Sequence, residues 1–188
     1  MSRCFGDGDP LYERYHDTEW GWPQRDETRL YEKLCLEALQ SGLSWILVLR
    51  RREGLRQVFH GFDPALVTRF REREIDRLMQ DPRVIRNRRK LEAIVQNAKA
   101  TVALRDSEPL ADLIWRHRPL RRPAPKTWDD VEVAPEAKAL ARELKRRGFA
   151  FVGPTTVYAL MEAAGLVNDH LVSCPARPGV EEAQARAQ

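Results

Sequence analysis

Four residues with metal-ligand side chains stand at the two ends of this 188-residue chain: Cys4 and His16 near the start, His170 and Cys174 near the finish. The second pair is spaced i, i+4, which places both side chains on one face where the segment is helical. Two thiolates and two imidazoles make a Cys2His2 set, which fills a tetrahedral zinc site and leaves no open position. Such a site cannot readily activate water. Its expected role is structural, a Zn2+ that fastens the first turns of the chain to the last. The competing account is two unrelated pairs, and the sequences around them decide between the two.

A second candidate is a lone acid. Glu37 lies on the stripe Leu30, Leu34, Glu37, Ser41, flanked by Leu36, Ala38 and Leu39. An ionised carboxylate in that setting is costly unless paired, and it is not explained as a solvated surface. It is either a site acid or a buried Glu bonded to a core tyrosine or a helix cap. Trp45, at the start of the next helix, is either a stacking platform or core. Tyr12 and Tyr15 are three apart and share a face if their stretch is helical, while Trp20 is assigned to the core. Cys35, between Leu34 and Leu36, reads as inert core.

The elements that must position these residues are helical throughout. Asp26 caps a helix to about Ser41, and Ser44 a second through about Phe59. Asp63-Pro64 opens a short helix. Segments near 72–80, 87–105 and 109–117 carry apolar residues at three- and four-residue spacing. Residues 119–134 form one long irregular connection. A helix from about Pro135 ends at Gly148, Gly153-Pro154 restarts one that ends near Gly165, and Asn168 or Asp169 caps a last helix. The tail over 177–188 is polar and is expected to be flexible. The fold class is all-α.

Composition narrows the setting. Three cysteines, no apolar run of membrane length and no leader-type start indicate a cytoplasmic protein without disulfides or a membrane partner. The net charge is only +4, but Arg outnumbers Lys 26 to 6 and recurs in bunches such as Arg50–Arg52 and Lys145–Arg147. Bunched Arg is either a set of solvated helix faces or a set of phosphate contacts. Position favours the second near 145–156. There Lys145, Arg146 and Arg147 lead into a short turn, and Gly153 precedes a helix opening Pro154-Thr155-Thr156. A glycine before a helix lets another backbone pass close, and the free N–H groups of the first turn can hold a phosphate oxygen.

Four separated segments then become recognisable: YERYHDTEWG (Tyr12 to Gly21), CLEALQSGLSWILVL (Cys35 to Leu49), KRRGFAFVG (Lys145 to Gly153) and GLVNDH (Gly165 to His170). In this order they resemble the 3-methyladenine DNA glycosylase I family, over about Cys4 to Cys174. The resemblance implies a helix-hairpin-helix DNA glycosylase fold of two helical lobes with a base entering between them. It places a single domain over 1–176, with a terminal lobe of about 1–60 plus 165–176 and a hairpin-bearing lobe of about 61–164. It also implies a structural zinc on Cys4, His16, His170 and Cys174, and a monomer acting on double-stranded DNA that contains 3-methyladenine. Glu37 then becomes the catalytic carboxylate, Tyr12, Tyr15 and Trp45 the base-binding residues, and Gly153, Thr155, Lys145, Arg146 and Arg147 the DNA contacts. Phe5 departs from the Trp often found in relatives, and Arg83 from a Gly.

The implied chemistry is undemanding. 3-Methyladenine attached to the sugar is cationic and leaves readily, so it needs an electron-rich face, a carboxylate and exclusion of normal purines. Helix-hairpin-helix glycosylases place a catalytic Asp in a Val-Asp-x-His pattern after the hairpin. Here the stretch reads Val167-Asn168-Asp169-His170, which puts Asn168, or Asp169 in a shifted register, at that position. No Lys follows residue 145, which points to a monofunctional hydrolase rather than a lyase. A silent DNA-binding protein would keep the hairpin but lose Glu37 and the aromatics. A zinc hydrolase would need three ligands and an open position.

Overall fold

Short polar caps and apolar stripes divide the chain into ten α-helices among the described residues of this computed structural model, which are 3–120 and 122–187. They are α1 (Pro10–Thr18), α2 (Glu27–Gln40), α3 (Trp45–Val58), α4 (Pro64–Val67), α5 (Glu72–Leu78), α6 (Arg88–Leu104), α7 (Leu110–Trp115), α8 (Pro135–Arg146), α9 (Pro154–Ala163) and α10 (Arg177–Arg186). The described residues contain no strand. Among the described residues no helix is long and apolar enough to cross a membrane. Asp9, Asp26, Asp63 and Asn87 each accept a hydrogen bond from a first-turn N–H of α1, α2, α4 and α6, satisfying donors that a helix start leaves unpaired. Ser44 precedes α3 as expected but makes no side-chain cap bond.

The large core is built on α2. Leu30, Tyr31, Leu34, Cys35 and Leu39 are buried, and the helix packs against α6, α7 and α9. Tyr31 donates from its hydroxyl to the Ile94 carbonyl at 2.8 Å, tying α2 to α6. One continuous apolar cluster runs from Leu30 to Val167. The cluster spans residue 60, because α2 buries its face on α6, α7 and α9. A smaller cluster of Tyr15, Trp20 and Leu49, with Phe5, Tyr12 and Trp45 against it, joins α1 to α3.

The α8–α9 hairpin is clamped by α6. The Asn97 side chain accepts from the Ala150 N–H at 2.8 Å and donates to the Ala150 carbonyl at 3.2 Å, while Gln96 donates to the Gly148 carbonyl at 2.7 Å. Gly148, at φ +90°, supplies the left-handed residue that ends α8.

Two expectations are corrected near the chain end. Residues 168–176 are turns rather than a capped helix. Asn168 spends its side chain locally instead, accepting from the His170 N–H at 3.2 Å and donating to the Arg177 carbonyl at 3.4 Å. The segment expected to be a flexible tail contains α10, Arg177–Arg186, with Gln188 outside the described residues. Val180 is fully buried, and Gln184 donates to the carbonyls of Gly21 and Val167, both at 3.1 Å.

Candidate functional site

Tyr12 and Tyr15 do share a face of α1, and that face closes one side of a cavity of about 300 Å3. α2 brings Glu37 to it, the first turn of α3 brings Trp45, and the last turn of α9 brings Glu162. Phe5, Trp20 and Trp128 complete an aromatic rim. The Phe5 ring centroid lies 4.9 Å from Tyr12 and 5.0 Å from Trp20, and Tyr15 stands 5.1 Å from Trp45. Trp20, assigned to the core, is 7% exposed and lines this cavity as well. Trp128 is largely exposed, on a short turn of the long connection.

Glu37 is 5% exposed and makes no hydrogen bond or ion pair among the described residues. Neither a tyrosine nor a helix cap accounts for it. Burial pushes its carboxyl up to about 8, opposed by the nearby Lys33. Burial and the Glu37 charge also raise Tyr12 and Tyr15. The buried indole N–H of Trp45 has no acceptor among the described residues. The cavity thus combines π faces, an unpaired carboxyl and an unpaired donor, a set suited to a flat, polar-edged, cationic ligand.

Glu162 escaped the sequence reading. It is the sole charged residue of α9, and like Glu37 it interrupts an apolar run, Val157 to Ala164. Burial, Asp169 and Glu37 raise its carboxyl well above the usual carboxylate range. Asp169, the alternative to Asn168 after the hairpin, does not line the cavity. It accepts a short hydrogen bond from the Tyr158 hydroxyl and lies 3.8 Å from Arg122.

A second cleft, of about 370 Å3 and more enclosed, is also lined by Tyr15 and Trp45. Its two acids are locked to arginines, Glu19 to Arg52 at 2.5 Å and Glu32 to Arg56 at 2.6 Å, so it reads as a structural seam.

Cys4, His16, His170 and Cys174 converge, with ligand atoms all within 4.8 Å of one another. Turns at 168–176, not a helix, bring the second pair together. The Cys174 sulfur lies 3.4 Å from His16 Nε2 and 3.4 Å from His170 Nδ1, and Cys4 Sγ is 3.7 Å from His170 Nδ1. Ligands about 2.0–2.3 Å from a tetrahedral ion lie about 3.4–3.8 Å apart, so the donor set fits one. The outer nitrogens are oriented as well: His16 Nδ1 lies 2.8 Å from Asp17, and His170 Nε2 3.1 Å from the Trp20 carbonyl. Burial lowers His170 to about 4, leaving the neutral imidazole a cation requires.

At the hairpin, Gly153 opens α9 with its backbone extended, and a Cβ added there would meet nothing within 4 Å. Thr155 and Lys145 are exposed. Arg146 is 72% exposed, with a surface pair to Glu143. Arg147, expected beside them as a DNA contact, turns inward. It pairs with Glu143 at 3.0 Å and Glu108 at 3.2 Å, two acids that draw it against the protein. Arg83 pairs with Asp81 at 2.6 Å and crowds Gly54, where an added Cβ would come within 2.9 Å of it.

An all-helical protein with an aromatic, acid-lined cavity and a basic hairpin belongs to the class that handles nucleobases. The comparisons agree. A family model described as methyladenine glycosylase matches residues 5–177. DNA-3-methyladenine glycosylase 1 of Escherichia coli is 45% identical over 185 residues, covering 95% of this chain and 98% of that one. A crystal structure of 3-methyladenine DNA glycosylase I superposes with a TM-score of 0.91 at 43% identity, over 94% of this chain and all of the other. A tyrosine-to-phenylalanine variant of 3-methyladenine DNA glycosylase I, solved in complex with 3-methyladenine, gives 0.88 at 36% identity, over 95% of this chain and 98% of that one. The chain belongs to the methyladenine glycosylase family.

Proposed function

We infer that the aromatic cavity receives the base that this enzyme, a monofunctional DNA-3-methyladenine glycosylase, removes from alkylated DNA. The observation that carries the reading is Glu37, a buried and unpaired carboxyl set among π faces in a chain of this family. A glycosylase flips the lesion from the duplex and reads it in a pocket. Trp45, with Tyr12 and Tyr15, offers faces for the cationic ring, worth on the order of 0.5–2 kcal/mol for a cation over an indole. Glu37 accepts from the exocyclic amine, and its charge complements the ring cation. The glycosidic bond then breaks toward a good leaving group, and water takes the sugar carbon. Neither candidate for the carboxylate position after the hairpin offers a free acid: Asn168 is spent on the chain end and Asp169 on Tyr158. That limits the chemistry to lesions that leave easily.

The α8–α9 hairpin is read as a helix-hairpin-helix, bringing Gly153 and the first-turn N–H groups around Thr155 to a phosphate, with Lys145 and Arg146 beside them. The Cys2His2 set is read as the holder of a structural Zn2+ in a monomeric, cytoplasmic repair enzyme acting on double-stranded DNA. The zinc would fix the Phe5 and α1 side of the cavity to the 168–176 turns, without contacting the base. Chromatography of bases released from methylated duplex DNA tests the activity: 3-methyladenine is the expected product, and its absence with folded protein refutes the assignment.

A further inference from the structure

The cavity holds two acids, and the Glu37 reading uses one. Glu162 also lines it, from the last turn of α9, a helix packed directly against α2. Its side chain makes no hydrogen bond or ion pair among the described residues. The neighbouring cation, Arg122, lies with Asp169 at 3.8 Å and over the Tyr158 ring at 5.2 Å, and neither arrangement involves Glu162. A carboxyl at a helix C-terminus faces the negative end of the helix dipole. It is half-buried, with the charges of Asp169 and Glu37 both near it. Two carboxyls facing one such cavity do not both ionise, and the proton stays on the one less able to carry charge. Glu37 has Lys33 near it on the same helix; Glu162 has the helix terminus and two acids, offset in part by Arg122.

An unpaired neutral carboxyl is a hydrogen-bond donor aimed into a site that already holds an acceptor. Adenine presents that complement, an N6 amine flanked by the ring acceptors N7 and N1. Resting on the base-pocket reading above, we propose that Glu162 is a second base-reading carboxyl, donating to a ring nitrogen beside the exocyclic amine while Glu37 accepts from that amine. The pair reads a donor next to an acceptor, the order that separates adenine from guanine, whose O6 and N7 both accept. Glu162 is thereby a specificity-determining residue for adenine-type lesions.

The experiment titrates free 3-methyladenine by tryptophan fluorescence into the wild type, Glu162→Leu and Glu162→Gln, with thermal melts alongside. Glu162→Leu is expected to bind about tenfold more weakly, the worth of one hydrogen bond to a desolvated group. Its melting temperature should be no lower, because an unpaired acid has left a helix terminus. Glu162→Gln, whose amide N–H can still donate, recovers more than half of the loss. On the ligand side, one of the 1-deaza and 7-deaza analogues loses a similar factor with the wild type and nothing further with Glu162→Leu. Undiminished affinity in Glu162→Leu, a Gln variant as weak as Leu, or wild type indifferent to both analogues overturns the proposal. Wild type that does not bind 3-methyladenine at all refutes the base-pocket reading instead.

Discussion

Replacing Glu37 by Gln removes a charge and keeps the shape, and the structure sets the size of the effect. Burial raises this carboxyl from 4.5 to about 8. At about 1.36 kcal/mol for each tenfold step, that gap corresponds to about 5 kcal/mol. Water in the open cavity relaxes part of it, leaving about 2–3 kcal/mol. Between pH 4.5 and 8 the folded protein holds a proton that the unfolded chain releases. Wild-type stability contributed by this group is therefore full below pH 4.5 and is lost as pH rises toward 8. Denaturant unfolding at pH 5 and pH 8.5 should show Glu37→Gln gaining on the wild type by about 2–3 kcal/mol at the higher pH. Function runs the other way. A fixed ring cation selects the ionised carboxylate, so lesion capture by the wild type rises with pH up to about 8 and then levels. Glu37→Gln should lack that rise and excise 3-methyladenine on the order of 10–100-fold more slowly, the worth of a hydrogen bond to a charged group. A stability difference that stays constant from pH 5 to 8.5, or full activity in the variant, would refute the reasoning.

Protein purified without chelator should carry one zinc per chain by elemental analysis. Cys174→Ser should lower stability by several kcal/mol while changing the rate of the remaining folded enzyme little; metal-free protein that melts like the native preparation would contradict this. A bulky residue at position 153 meets open space in the free protein, so Gly153→Phe should melt normally yet bind duplex DNA more weakly at every sequence. Loss of Lys145 or Arg146 should flatten the log–log salt dependence of DNA binding by about 0.9 per contact, whereas loss of the inward-turned Arg147 should register in stability. Gly165 sits at φ +76°, where a Cβ would come within 2.4 Å of the Trp22 backbone. Gly165→Ala is accordingly expected to cost about 3 kcal/mol in a denaturant melt, from overpacking added to left-handed strain.

The parts legible in the sequence are those where local chemistry and global position agree. α2 carries its own cap at Asp26 and its own apolar stripe, and Glu37 stands out because it interrupts that stripe. The Cys and His residues were visible as a set, although their i, i+4 spacing suggested a helix where turns do the work. That error arose because Asn168 looks like a cap, and its bonds to His170 and Arg177 depend on where the chain end folds back. α10 was missed for a related reason. Val180 is the one large apolar residue in it, and the helix is held by Gln184 reaching carbonyls of Gly21 and Val167, contacts that no local pattern announces. Arg147 resembles its neighbours in sequence, and the acids that turn it inward, Glu143 and Glu108, become its neighbours only on folding. Glu162 was within reach of sequence, but its partnership with Glu37 required knowing that α9 lies on α2.

The Cys4–His170 contact spans 166 positions, and His16 and Cys174 lie 158 apart. A ribosome adding about 5–20 residues per second therefore takes on the order of ten to forty seconds to deliver both halves of the cluster. Through that interval Cys4 and His16 are exposed on a nascent chain with no partners, open to oxidation and to stray cations. The aromatic wall supported by α1 cannot settle until the final segment emerges. On the zinc reading, a cell short of the metal would encounter this repair enzyme first as a failure of completion after synthesis, with the central helices formed and the aromatic cavity still open on one side.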